Sequence, residues 1–202
     1  MEEPARPGTV VNPAADMGAP GEATALASTG ESITTAEFRF ASDGQVPNNP
    51  ALSLLLHRKA FDAATPQPAI TAEALFGANG WGGFWRDGVY DFHHYHSTCH
   101  EALGVASGWA DIRFGGEHGE TVRIEAGDVA VLPAGSGHKR LDASDDFLIV
   151  GAYPPDQPFD LIRASAAEHD AAVRRIAEVP LPATDPVFGP EGGLRTRWRK
   201  AG

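Results

Sequence analysis

Between Val89 and Tyr153 the chain is cut into short β-rich runs by turn residues at nearly regular intervals. Residues 89–96, 101–114, 121–124, 129–132, 138–141 and 147–152 read as strands. The breaks fall at Gly115-Gly116, Ala126-Gly127-Asp128, residues 134–137 and residues 143–145. Many short strands at such spacing predict an all-β barrel or sandwich, because each half-apolar strand needs a facing sheet to bury it. No repeat of this region occurs, so the chain is expected to form one barrel.

The flanks read differently. Residues 1–35 are rich in Pro, Gly, Ala, Ser and Thr with few large apolar side chains, and are expected to be disordered. Residues 37–40 alternate polar and apolar side chains as a short strand does, and the apolar run 52–57 reads as another. Thr71 opens a brief helical stretch, 72–76, that stops at Gly77 and Gly80. Ser165-Ala166-Ala167-Glu168 has the spacing of a capping box and predicts one C-terminal helix to about Ala177, ended by Pro180. Residues 181–202 read as an extended arm, with Arg195-Thr196-Arg197-Trp198-Arg199-Lys200 as solvated tail. The organisation expected is an extension (1–35), a β-barrel domain (36–163) and a helix with arm (164–202).

Chemistry concentrates in one place. Four of the eight histidines, His93, His94, His96 and His100, lie within eight positions. Strand side chains alternate faces, so Tyr90, Phe92, His94 and His96 share one and His93 the other. On the next run Glu101, Leu103 and Val105 share a face, opposite the small residues Ala102, Gly104 and Ala106. If the apolar side points inward, Glu101 is buried too, which is costly unless it is paired or bound to metal. Two inward imidazoles beside it point to a metal, with His138 as the fourth ligand. The flat Ala102-Gly104-Ala106 face predicts a cover, either the N-terminal strand or a second subunit. A zinc-protease reading fails because H-E-x-x-H would need His at 103, which is Leu.

Residues 88–108 match G-x5-H-x-H-x4-E-x6-G, and residues 127–138 match G-x5-P-x-G-x2-H, 18 residues further on. On these motifs the chain resembles the cupin superfamily. Asn79-Gly80-Trp81, Trp85-Arg86-Asp87-Gly88, Gly116-Glu117-His118-Gly119 and Asp185-Pro186-Val187-Phe188-Gly189 resemble the YjlB-like bacterial single-cupin proteins, over roughly residues 40–190. The second motif usually ends in Asn four residues after its histidine, where this chain has Asp142. The resemblance implies a cupin (small jelly-roll, RmlC-like) β-barrel, one metal and a homodimer.

Three neutral imidazoles and one carboxylate leave a divalent ion with net positive charge and about two open positions when six-coordinate. Ligation by N and O without thiolate suits Fe, Mn, Ni, Cu or Zn. The expected function is a metalloenzyme acting on a small polar metabolite, as an oxygenase or as an isomerase or lyase of sugars or hydroxy acids. The alternative is a metal-dependent binding or sensing protein without turnover. Tyr90, Phe92 and Leu103 are expected to wall the substrate pocket. Arg140, on the parity of His138, is expected to meet an anionic group. A formal charge of −11 argues against nucleic acid and anionic membranes as partners. One cysteine, Cys99, and a start without an apolar signal region predict a cytoplasmic protein.

Overall fold

The computed structural model describes residues 32–198. Its strands are β1 (Thr34–Phe38), β2 (Leu54–Arg58), β3 (Gly82–Asp87), β4 (His94–Tyr95), β5 (Glu101–Ser107) and β6 (Trp109–Phe114). The rest are β7 (Glu120–Glu125), β8 (Val129–Leu132), β9 (His138–Ala143), β10 (Leu148–Tyr153) and β11 (Ile162–Arg163). They form two antiparallel sheets, ordered β1-β2-β8-β5-β10-β3 and β11-β4-β9-β6-β7. This is the all-β jelly-roll that the regular breaks predict. Among the described residues no helix is long and apolar enough to cross a membrane.

The run 101–114 divides at Gly108, where φ is 66° and an added Cβ would stand 2.2 Å from Ser144 Oγ. Glycine alone fits there, and the chain uses it to leave one sheet as β5 and enter the other as β6. Between the sheets lie Leu54, Leu56, Leu103, Val105, Ile112 and Phe114. The run 89–96 is not one strand. Only His94–Tyr95 pairs, as β4, while 88–93 is irregular and a further strand, β3, precedes it.

The Ala102-Gly104-Ala106 face is covered from within the chain, and not by the N-terminal strand. Helix α1 (Pro68–Ala78) lies on it, and a Cβ on Gly104 would come 2.9 Å from the Phe76 ring. Leu194 and Trp198 extend the same apolar layer. Helix α1 runs longer than expected because Pro68 suits a first turn and Gly77 does not break the pattern.

Helix α2 (Ala166–Glu178) packs Ala172 and Ile176 against Tyr95 and Ala134. Ser165 is its N-cap residue, yet it makes no side-chain capping bond. A further short helix, α3 (Leu194–Arg197), follows the predicted C-terminal one. The expected solvated arm is instead fastened down. Asp185 is fully buried, Trp198 is 3% exposed, and its Nε1 donates to Ser53 O at 2.7 Å. Arg199 and Lys200, like the disordered stretch expected for 1–35 as far as residue 31, lie outside the described residues; Thr34 and Thr35 belong to β1.

Candidate metal centre

The two sheets meet over the histidine cluster. His94 on β4 is the direct cross-strand partner of His138 on β9, which sets their rings 4.1 Å apart. His96 follows β4 in a loop, and Glu101 opens β5 in the other sheet. His96 Nε2 stands 3.3 Å from Glu101 Oε1, and His138 Nε2 stands 3.6 Å from Glu101 Oε2. All four side chains are buried.

Each imidazole is oriented from behind. Nδ1–H of His94 donates to Phe92 O at 3.2 Å, and that of His138 to Ser136 O at 3.1 Å. Nδ1–H of His96 donates to Asp160 O. A carbonyl can only accept, so each imidazole, when neutral, carries its proton on Nδ1 and leaves its lone pair on Nε2, the tautomer a metal requires. Glu101 is positioned likewise: Tyr153 Oη donates to its Oε1 at 3.1 Å, and Trp85 Nε1 donates to Tyr153 at 2.9 Å. Glu101 Oε2, by contrast, is buried and has no hydrogen-bond partner. An orphaned carboxylate oxygen facing imidazole lone pairs fits a divalent cation and little else.

Electrostatics agree. Burial and the neighbouring His138 push His94 down to about 2, and burial also lowers His138. Burial alone would raise Glu101, but His96 and His138 outweigh it and hold the carboxyl at about 2. Burial works against a charged His96 as well; there Glu101 prevails and raises it. The carboxylate is therefore ionised, ready to accept a cation.

A second grouping lies close by: ligand atoms of His96, Cys99 and Asp160 fall within 4.8 Å of one another. Its donors are spent. Asp160 Oδ1 accepts from the backbone of Ser97 and Thr98, and Oδ2 accepts from Ser97 Oγ at 2.5 Å. Burial pushes the Cys99 thiol far up. Asp160 braces the His96 loop.

The four side chains end a cavity of about 590 Å³. Tyr90 and Leu103 line it as expected. Phe92 does not; it stacks on Tyr90 with ring centroids 4.9 Å apart, under the Arg163 guanidinium. Arg140 is exposed and outside the lining. Its backbone N–H donates to Tyr90 O at 2.8 Å, and the β6–β9 register shifts beside it, between Asp111 and Ile112. Trp85, Tyr153, Phe159 and Leu161 also line the cavity and were missed. One signal for Trp85 exists, a lone glycine inside β10: a Cβ on Gly151 would fall 1.9 Å from the Trp85 indole. His93 and His100, placed on the outer face, are both buried. His100 accepts from Ala134 N at 3.0 Å and packs on Trp198.

No family model matches the chain. A curated relative does: the Uncharacterized protein YjlB of Bacillus subtilis (strain 168) is 37% identical over 166 residues, 82% of this chain and 98% of that protein. The chain belongs to the YjlB family. This YjlB-family barrel carries both motifs, the first with His94, His96 and Glu101 and the second with His138, at one end of two antiparallel sheets. Three solved structures overlap it weakly. An uncharacterized conserved protein with a double-stranded beta-helix domain from Klebsiella pneumoniae is 13% identical, over 67% of this chain and 82% of that one, at a TM-score of 0.34. Acireductone dioxygenase from Bacillus anthracis, with a cadmium ion in its active center, is 16% identical over 43% and 58%, at 0.32. A Bacillus subtilis oxalate decarboxylase mutant is 17% identical over 67% and 29%, at 0.32. At such scores nothing about this YjlB-family site is taken from them.

Proposed function

We propose that this protein is a metal-dependent cupin enzyme, holding one divalent transition metal through His94, His96, Glu101 and His138 and acting on a small molecule in the adjoining cavity. The observation that carries this is the ionised, buried Glu101 with an unpartnered Oε2, facing imidazoles whose Nδ1 protons are already spent on backbone carbonyls. A structural ion would be sealed by side chains. Here the ligands open onto a cavity of about 590 Å³, large enough for a metabolite. Bound there, Fe or Cu would supply dioxygen chemistry, and Mn, Ni or Zn a Lewis acid.

The chain's own groups divide the remaining work. Tyr153, held by Trp85, keeps Glu101 oriented through Oε1 and leaves Oε2 to the ion. Burial keeps the Tyr153 phenol protonated, so it acts as a hydrogen-bond donor rather than a base. Leu103 and Val89 keep water from the floor of the site.

Metal analysis of protein purified without added metal or chelator, beside a His94→Ala/His138→Ala variant, tests the reading. Near-stoichiometric metal that disappears in the variant is expected. If neither protein can be loaded, the ligand set is wrong. Iron or copper directs the search to oxygen uptake, and zinc, nickel or manganese to isomerase and lyase assays. A loaded protein that binds ligands without turnover is a sensor or carrier instead.

A further inference from the structure

Beyond its four ligands the cavity is aromatic and nearly free of charge. Trp81, Trp85, Tyr90, Tyr153 and Phe159 line it, and among the described lining residues there is no Lys or Arg. The carboxylates in the lining are Glu101 at the floor and the exposed Asp87. At the mouth Phe159 and Leu161 remain 50% and 38% exposed, apolar surface that a ligand lying over them would bury. A divalent ion with one glutamate keeps one net positive charge, enough to match a single negative charge on the ligand's chelating end. A second anionic group would be buried without a partner, which is costly.

From this we infer that the cavity takes a chelating molecule whose body is uncharged, flat and apolar, an aromatic one fitting best, and turns away dicarboxylates and sugar phosphates. The inference rests on the metal reading above and narrows it: the polar metabolite expected from sequence is replaced by one polar at a single end. The arm that carries Phe159 and Leu161 also carries Asp160, whose carbonyl orients His96 and whose carboxylate caps residues 97 and 98. The wall that meets the ligand body and the brace behind a metal ligand are therefore one segment.

The test holds the chelating head constant and changes the tail. Protein loaded with Zn(II) to measured stoichiometry is titrated calorimetrically with benzohydroxamic acid and with succinic monohydroxamic acid. Benzohydroxamate is expected to bind at least tenfold more tightly. Phe159→Ala should narrow that ratio, and Leu161→Arg should strengthen the anionic probe several-fold; both sites are exposed enough to accept the change. Equal binding, or preference for the anionic tail, overturns the inference. So does a loaded protein that binds neither probe, while the metal reading then stands. A protein that takes up no metal overturns that reading instead. The tail preference is then measured on metal-free protein with benzamide against succinamate, through fluorescence of Trp81 and Trp85, and equal binding overturns the inference too.

Discussion

Glu101 and Asp185 are both buried beside an imidazole, at 2% and 0% exposure, and both stay ionised. Their surroundings differ in one respect. Asp185 is saturated: Oδ1 accepts from Val187 N and Phe188 N at 2.8 and 2.9 Å, and Oδ2 from Leu194 N at 2.7 Å. His57 Nε2 stands 3.3 Å from Oδ2, and the Nδ1 of the same ring hydrogen-bonds with Thr35 Oγ1 at 2.9 Å. Gly193 sits so close, at φ 53°, that a Cβ would come 1.9 Å from Oδ2. Glu101 has Tyr153 Oη and His96 Nε2 both at Oε1 and leaves Oε2, without a hydrogen bond, open to a cavity. A buried charge with every lone pair used is a fastening; a buried charge with one unused is a binding site.

The contrast can be broken at either end. Asp185→Ala should cost about 3–5 kcal/mol, because the arm loses its anchor and backbone N–H groups are orphaned. Urea denaturation measures it, and metal affinity should not move. Glu101→Gln should do the reverse, lowering metal affinity by more than the ~100-fold ceiling for groups that merely support a ligand. Chelator competition reads that loss; unchanged affinity would place the metal elsewhere, with His96, Cys99 and Asp160 the next group to test. Gly151→Ala should cost about 1–3 kcal/mol by driving the Trp85 indole off β10, and should disturb the cavity wall with it. Tyr153→Phe removes one hydroxyl from behind Glu101, and metal affinity should fall about tenfold with the fold intact. The mildest probe is pH. Burial would raise Asp185, but His57 and the backbone N–H groups outweigh it and lower it below its ordinary 3.8. The unfolded chain then takes up the proton first, so this stabilisation is complete at neutral pH and disappears as pH falls below about 4. Melting temperatures of wild type and Asp185→Ala should converge over that range.

Much of this was legible in the residues themselves. The breaks at Gly115-Gly116, Gly127-Asp128 and residues 134–137 are local turn chemistry, and they place β7 to β9 within two residues. His94, His96 and Glu101 sit within eight positions, so strand parity and one turn suffice to bring them together, and spacing named His138. Parity failed where its premise did. Residues 88–93 are not a strand, so Phe92 turned away from the cavity, and Arg140 stands exposed where the β6–β9 register shifts.

What the sequence alone determined, then, was the barrel and the gathering of His94, His96, Glu101 and His138 at its end, because both rest on turn chemistry, motif spacing and a two-residue period that strands obey. Tertiary structure decided what surrounds them. Phe76 lies over Gly104, Trp85 over Gly151 and Asp160 behind His96, and the C-terminal segment ends in a buried tryptophan. Each of these joins residues 28 to 145 positions apart in the chain, as Trp198 and Ser53 are joined. Contacts at that range carry no periodicity, and only the packed molecule specifies which side chain fills which gap.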